Sequence, residues 1–107
     1  MKMGVLVSTN DPETGWNAFR FANTAREVGH DVQVFLMGKG VELAVLKHPS
    51  FDVGKQIHRF SGKGGKVLAC GTCLDLRKQG TANLCDVSTM NTLVELVGSV
   101  DRLVSFG

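Results

Sequence analysis

Short apolar runs separated by polar turns dominate the hydrophobic pattern of the chain. The segments 2–8, 31–36 and 67–69 are rich in Val and Leu and alternate little between apolar and polar residues. Such runs are typical of strands that are buried on both faces of a sheet. The segment 101–106, DRLVSF, predicts a further strand near the end of the sequence. The pattern therefore predicts a sheet of four or five strands.

A helical pattern connects the first two strands. Asp11 is a suitable N-cap for a helix over residues 12–28, which begins with proline, and Gly29 is a suitable residue to end it. Trp16 and Phe19 lie partly off the apolar stripe of this helix, so they are free to face solvent, a pocket or another subunit. The stripe itself has helical spacing and consists of Ala18, Phe21, Ala22, Ala25 and Val28.

Three more helices are predicted downstream. Residues 41–46 read as a short helix after a glycine-bearing loop, and apolar residues at helical spacing predict another helix over 51–60. The segment 89–97 has an apolar face, with Ser88 as the predicted N-cap and Gly98 as the residue that ends the helix. Residues between the third strand and this last helix predict a loop with a short strand-like piece.

Strands that alternate with helices through short links form right-handed βαβ units, and their strands pair in parallel. The predicted fold is therefore an α/β three-layer sandwich with a mostly parallel sheet, in a flavodoxin-like arrangement and as a single domain over residues 1–107. Ligands of such folds bind beyond the carboxyl ends of the strands. Because Asn10, Gly38 and Cys70 all follow strands, we expect their loops to converge at that edge.

Composition and charge exclude several classes of protein. Apolar residues make up 43% of the 107-residue chain, as in a globular protein, and the net charge of +2 is too small to favour nucleic acid as a partner. The apolar start of the chain is too short for a signal peptide or a membrane span, which predicts a cytoplasmic protein without a membrane partner. The three cysteines agree with a reducing compartment, since secreted small domains usually carry an even number.

The segment 67–80, VLACGTCLDLRKQG, carries the candidate chemistry. A buried strand delivers Cys70 to a Gly-Thr turn, Cys73 follows, and a helix over 74–79 is predicted to end at Gly80. Backbone N–H groups and the positive end of a helix dipole stabilise a thiolate at such a junction. We therefore expect Cys70, with Cys73 beside it, to be the reactive centre.

Three chemistries compete for this Cys-x-x-Cys pair: a nucleophilic or group-carrying thiolate, dithiol exchange, and a metal site that recruits Cys85 and a histidine. The single pair disfavours zinc, which usually takes two such units. A thioredoxin-like site is disfavoured because the motif follows a late strand. Such a site also needs a cis-proline loop nearby, and the only prolines are Pro12 and Pro49. Cys85 is interpreted as a packing residue. His58 or Lys63 is a candidate for a supporting role near the thiolate.

Several segments in chain order resemble the DsrE/DsrF-like family, which includes the sulfur-relay subunit TusD. They are residues 9–12 after the first strand, 35–37 and 40–41 around the second, 67–73 with the two cysteines, and the final strand 101–106. The resemblance covers nearly the whole chain.

This resemblance implies an α/β subunit of a homo-oligomer, commonly a trimer or hexamer, or of an assembly with related subunits. It also implies that Cys70 accepts sulfane sulfur as a persulfide from a donor protein and passes it to an acceptor protein, without a metal or an organic cofactor. Cys73 then assists, or resolves the persulfide into a disulfide and sulfide. A ligand-binding or assembly protein that transfers no sulfur, and a dithiol redox protein, remain the alternatives.

Overall fold

Five strands form one all-parallel sheet in the computed structural model, which describes residues 1–107. The strands are β1 (Lys2–Val7), β2 (Asp31–Leu36), β3 (Lys66–Cys70), β4 (Asp86–Ser88) and β5 (Arg102–Phe106). Their order across the sheet is β4-β3-β2-β1-β5, so β1 lies inside the sheet between β2 and the last strand of the chain. The predicted α/β fold with a parallel sheet is confirmed, and the sheet has five strands where four or five were predicted.

Four α-helices and one 3-10 helix connect the strands. They are α1 (Pro12–Val28), the 3-10 helix (Gly38–Ala44), α2 (Val53–Gly62), α3 (Gly71–Leu76) and α4 (Met90–Ser99). The predicted caps of α1 are both present. The Thr14 N–H donates to the Asp11 carboxylate at 2.9 Å, and Gly29 adopts the left-handed conformation at φ 111°. A residue with a Cβ is strained in that conformation, which is why glycine ends the helix here.

The predicted helix over 74–79 is wrong in position, because α3 begins at Gly71 directly after the strand. Cys70 itself is the N-cap residue, with extended backbone angles. The helix then ends early, since Lys78 adopts a positive φ of 50°. The Gly-Thr pair predicted as a turn is therefore the first helical turn, which places Cys73 close to the end of β3.

The boundaries of α4 also differ from the prediction. The N-cap is Thr89, whose hydroxyl accepts from the Thr92 N–H at 3.3 Å, whereas Ser88 is the last residue of β4. Gly98 lies inside the helix and does not end it; Val100 is the C-cap. The strand-like piece predicted before this helix is β4, a three-residue edge strand.

The segment after β2 is a 3-10 helix where the sequence predicted a loop followed by a helix over 41–46. Its start passes very close to the end of β1: a Cβ on Gly40 would lie 2.1 Å from the carbonyl oxygen of Val7. Only glycine fits at such a close backbone approach. This contact presses the loop after β2 against the end of β1 at the carboxyl edge of the sheet.

The buried surface of α1 differs from the predicted apolar stripe. Phe19 is fully buried against Phe60 of α2, with ring centroids 6.3 Å apart, because α1 packs on both the sheet and α2. Asn23, which is not a member of the predicted stripe, is buried and donates to Gln56. Phe21 and Val28, predicted to lie on the stripe, are exposed instead. The helix–helix contact with α2 thus rotates the buried surface of α1.

Candidate functional site

Cys70 and Cys73 lie together at the carboxyl edge of the sheet. Cys70 ends β3 and belongs to the hydrophobic core, with only 4% of its surface exposed. Cys73 is one helical turn further on in α3 and is only partly buried. Neither forms a disulfide. The site therefore holds two free thiols at different depths.

The prediction that the helix start favours a thiolate at Cys70 is wrong for this chain. Burial raises the pKa of the Cys70 thiol above its ordinary value of 9.0, and the neighbouring Cys73 side chain raises it further. The backbone N–H groups of Cys73 and Thr72 act in the opposite direction without reversing the shift in pKa. Loss of hydration disfavours the charged sulfur more than the first turn of a six-residue helix stabilises it.

Cys73 is held by the loop that follows β2. The backbone N–H of Gly38 donates to the Cys73 sulfur at an N···S distance of 3.2 Å. Gly38 has a positive φ of 55°, a conformation that glycine adopts without strain. Because Gly38 and Cys73 are far apart in the sequence, no local sequence pattern predicts this contact.

A chain of polar contacts ties the same loops together. The side-chain amide of Asn10 donates to Glu42 at 3.2 Å, the Arg77 Nε donates to the other oxygen of Glu42 at 2.7 Å, and a second Arg77 nitrogen donates to the Cys73 carbonyl at 3.1 Å. These hydrogen bonds, Arg77 first and then Asn10, hold the pKa of the Glu42 carboxyl below its ordinary value of 4.5. The predicted convergence of the loops that carry Asn10, Gly38 and Cys70 is thereby observed.

Glu42 and Arg77 are the functional candidates that the sequence analysis missed. They are 35 positions apart, Glu42 in the 3-10 helix and Arg77 directly after α3, and neither is part of the Cys-x-x-Cys motif. Together with the 3-10 helix they line a groove of about 630 Å3 beside α3. A groove of this size is large enough for a small ligand or a peptide side chain.

Cys85 does not join Cys70 and Cys73 in a cluster of metal-binding side chains. Cys85 lies beside Ser61 and Lys66, where burial, followed by the charge of Asp86, raises the pKa of its thiol to about 11. No group of three or more His, Cys, Asp or Glu side chains is arranged to hold a metal ion. Cys85 is partly buried and packs against the hydrophobic core.

His58 and Lys63 are not placed beside the thiols. His58 lines the largest groove, of about 700 Å3, which runs along α2 and includes neither cysteine of the pair. Lys63 lies near Arg26 and Glu27 of α1. The segment between residues 51 and 65 therefore forms α2 and its flanking turns.

Apolar side chains are exposed at two separate places, near the cysteine pair and on α4. Leu76 at the end of α3 is 79% exposed, and Val87 of β4 is exposed close to Gly71, whose added Cβ would lie 3.1 Å from it. On α4, the residues Met90, Val94 and Val97 form an exposed apolar stripe. None of the helices is long and apolar enough to cross a membrane.

The fold and the site define a class: a small parallel α/β protein with a thiol pair where the third strand meets a helix. The chain belongs to the DsrE/DsrF-like family, whose sequence profile matches residues 1–106. The family resemblance noted in the sequence is therefore confirmed over nearly the whole chain.

The chain is also similar to two uncharacterized proteins. The uncharacterized protein MJ0989 of Methanocaldococcus jannaschii is 30% identical over 115 residues, covering 99% of this chain and 100% of the relative. MK0008 of Methanopyrus kandleri is 29% identical over 100 residues, covering 88% of this chain and 83% of the relative.

Among solved structures, YchN from E. coli superposes with a TM-score of 0.86 at 23% identity and covers 99% of this chain and 100% of that one. MTH1491 from Methanobacterium thermoautotrophicum, a protein of unknown function, gives a TM-score of 0.71 at 15% identity and covers 97% of each chain. At these identities the two structures show a shared fold.

Proposed function

We propose that the protein is a persulfide carrier, a sulfurtransferase-like subunit that accepts sulfane sulfur on Cys70 with the help of Cys73. One observation carries the proposal: two free thiols adjoin each other at the carboxyl edge of the sheet in a member of the DsrE/DsrF-like family. Membership of this family is consistent with a sulfur-relay role. The proposal needs no metal and no organic cofactor.

The burial of Cys70 suits a residue that stores sulfur. A persulfide on a side chain that is 4% exposed is protected from thiols in solution, which would otherwise reduce it. The adjacent Cys73 supplies a path for the sulfur, or for its release. If Cys73 attacks the inner sulfur of a Cys70 persulfide, a Cys70–Cys73 disulfide forms and hydrosulfide leaves.

The exposed apolar residues support the partner part of the proposal. The stripe on α4, and separately Leu76 and Val87 near the thiols, are surfaces that a second subunit or a relay partner covers in the assembled state. We infer a homo-oligomer, a trimer or hexamer, or an assembly with related subunits. Donor and acceptor proteins then meet the thiol pair in a cytoplasmic, reducing environment that keeps the cysteines free.

The test is sulfur retention. The protein is treated with inorganic polysulfide, the donor is removed by gel filtration, and the intact mass is measured without reductant. We expect the wild type to retain one additional sulfur atom and the Cys70→Ser variant to retain much less. Cys85→Ser is the matched control and should retain the adduct. No adduct on the wild type and none on Cys73→Ser, in which no disulfide can release the sulfur, would refute the carrier function. An undiminished adduct on Cys70→Ser would refute the role of Cys70.

The alternative function is an assembly or ligand-binding protein without sulfur transfer. The exposed stripe on α4 and the raised pKa of the Cys70 thiol favour it, because both are expected of a subunit whose cysteine only packs. Under this alternative the polysulfide treatment leaves no stable adduct. A dithiol redox protein would instead emerge from the same treatment with a Cys70–Cys73 disulfide and no added sulfur.

A further inference from the structure

The two thiols differ in their access to a partner. Cys70 contributes to the hydrophobic core, while Cys73 lies in the first turn of α3 and keeps part of its surface in solvent. Thiol exchange requires the attacking sulfur to approach along the S–S bond of the donor. A sulfur held on another protein can reach Cys73 without a rearrangement of the fold, and it cannot reach Cys70 in that way.

A second observation points to the same residue. The Gly38 N–H is aimed at the Cys73 sulfur at 3.2 Å, although these residues belong to different loops. A fixed N–H donor stabilises negative charge as it develops on an atom during a reaction. A sulfur that is first an attacking group and then a leaving group benefits from such a donor in both steps.

The Arg77 side chain fixes the turn that carries Cys73. It bridges the Glu42 carboxylate and the Cys73 carbonyl, at 2.7 Å and 3.1 Å. Because this ion pair is only partly exposed, its geometry is better defined than that of a freely solvated pair. The Cys73 sulfur is therefore positioned from two sides, by Gly38 and by Arg77.

We propose that Cys73 is the thiol that exchanges sulfur with partners, and that Cys70 receives the sulfur from Cys73 inside the protein. This inference rests on the proposed carrier function and assigns the order of the two cysteines within it. Gly38 and Arg77 act as positioning residues for Cys73.

The chemistry consists of two displacements without net oxidation. The Cys73 thiolate attacks the outer sulfur of a donor persulfide; the donor S–S bond breaks, its thiolate leaves with the electron pair, and a Cys73 persulfide forms. The Cys70 sulfur then attacks the outer sulfur of the Cys73 persulfide. A Cys70 persulfide forms, Cys73 leaves as a thiolate, and the proton from the Cys70 thiol passes to solvent or to Cys73. Delivery to an acceptor is the reverse sequence.

Loading kinetics test the order directly. Wild type, Cys70→Ser and Cys73→Ser are mixed with glutathione persulfide, quenched with acid at short times, and analysed by intact and peptide mass. We expect Cys70→Ser to load initially at the wild-type rate, on Cys73. Cys73→Ser should load on the order of tenfold more slowly, because only the buried thiol of the pair remains. Wild-type loading of Cys73→Ser, or sulfur appearing first on Cys70 in the wild type, would overturn the proposal.

Alkylation separates this inference from the carrier function, because it involves no sulfur transfer. Iodoacetamide labelling of the wild type, mapped by peptide mass, should modify Cys73 well before Cys70. If no variant ever takes up sulfur, the carrier function fails while the labelling order still decides which thiol is reactive. Faster labelling of Cys70 would refute the order. Thermal melting of Cys73→Ser shows whether this variant is folded, and Cys73→Ala is tested beside it as a second replacement of the same thiol.

The Gly38 contact has its own matched pair of variants. A Cβ at position 38 would meet no atom within 4 Å, so Gly38→Ala acts only through the strain of the positive φ. Asparagine tolerates this conformation better than alanine. The rate of Cys73 alkylation at a fixed pH should fall in Gly38→Ala and recover in Gly38→Asn. Identical rates for all three proteins would contradict the positioning role of Gly38.

Discussion

The two faces of the sheet are covered to different extents. On one face, α1 and α2 pack together and bury Phe19 and Phe60 completely. On the other face, α4 buries only Leu93 and Leu96 and leaves a stripe of three apolar residues in solvent, with Val94 66% exposed. The first face is a finished hydrophobic core. The second leaves apolar area that the chain itself does not cover, which is why the proposed subunit contacts are placed there.

Truncation of a core aromatic residue should have the largest effect on stability. Phe19→Ala removes a ring with no exposed surface, so we expect the free energy of unfolding to fall by about 3–5 kcal/mol in urea titrations. Phe21→Ala on the same helix is the matched control. Its ring is partly exposed and contacts Phe106 at a centroid distance of 5.9 Å, so the expected loss is only about 1 kcal/mol. Equal losses for both variants would show that the buried side of α1 contributes no more to stability than its exposed side.

A charge on the α4 stripe should affect assembly and leave the stability of the subunit unchanged. We expect Val94→Lys to weaken self-association by about tenfold or more, equivalent to roughly 1.4 kcal/mol. Its unfolding free energy at low concentration should change by less than about 0.5 kcal/mol, because Val94 is exposed. Light scattering at several concentrations measures the assembly.

Asn91→Lys is the control for that substitution. It adds the same charge to the same helix at an exposed polar position. If it dissociates the protein as well as Val94→Lys does, charge alone is responsible and the apolar stripe is not the interface. A wild type that stays monomeric at every concentration would remove the assembly proposal altogether.

Two glycines give the smallest effects, of opposite sign. Gly29 ends α1 with a positive φ, so Gly29→Ala should destabilise the protein by about 1 kcal/mol. Gly98 lies inside α4 with open space around it, so Gly98→Ala should stabilise by about 0.5–1 kcal/mol through helix propensity. Thermal unfolding of both variants checks the signs. Destabilisation by Gly98→Ala would restore the sequence-based view that this glycine ends the helix.

The sequence predicted the strands and the long helix α1 better than the loops and the ends of the other helices. Buried strands and the caps of α1 have local signals, as Asp11 and Gly29 show, and these predictions are confirmed. The predicted helix end at Gly98 was wrong, because the sequence alone does not distinguish a glycine in an exposed helix interior from a glycine at a helix cap. The close approach of Gly40 to Val7 is a tertiary contact, and no local pattern reports it.

The candidate site was predictable only in part. The Cys-x-x-Cys spacing and the place of Cys70 at a strand end identify the pair and the edge of the sheet where it lies. The relative depth of the two thiols depends on where α3 begins, which the sequence placed three residues too late. The roles of Glu42 and Arg77 depend on the 3-10 helix and α3 meeting in space, which the hydrophobic pattern does not encode.

The position of β1 has a consequence for how the protein is made. Its backbone pairs on one side with β2, which follows closely in the sequence, and on the other side with β5, where Gly4 lies opposite Leu103. During synthesis, β1 therefore remains an unprotected edge until residues 102–106 have left the ribosome. Long-range pairings of this kind form late and slowly, and open strand edges aggregate. Strand β5 thus covers the free edge of β1 and then forms one of the two edges of the open sheet itself.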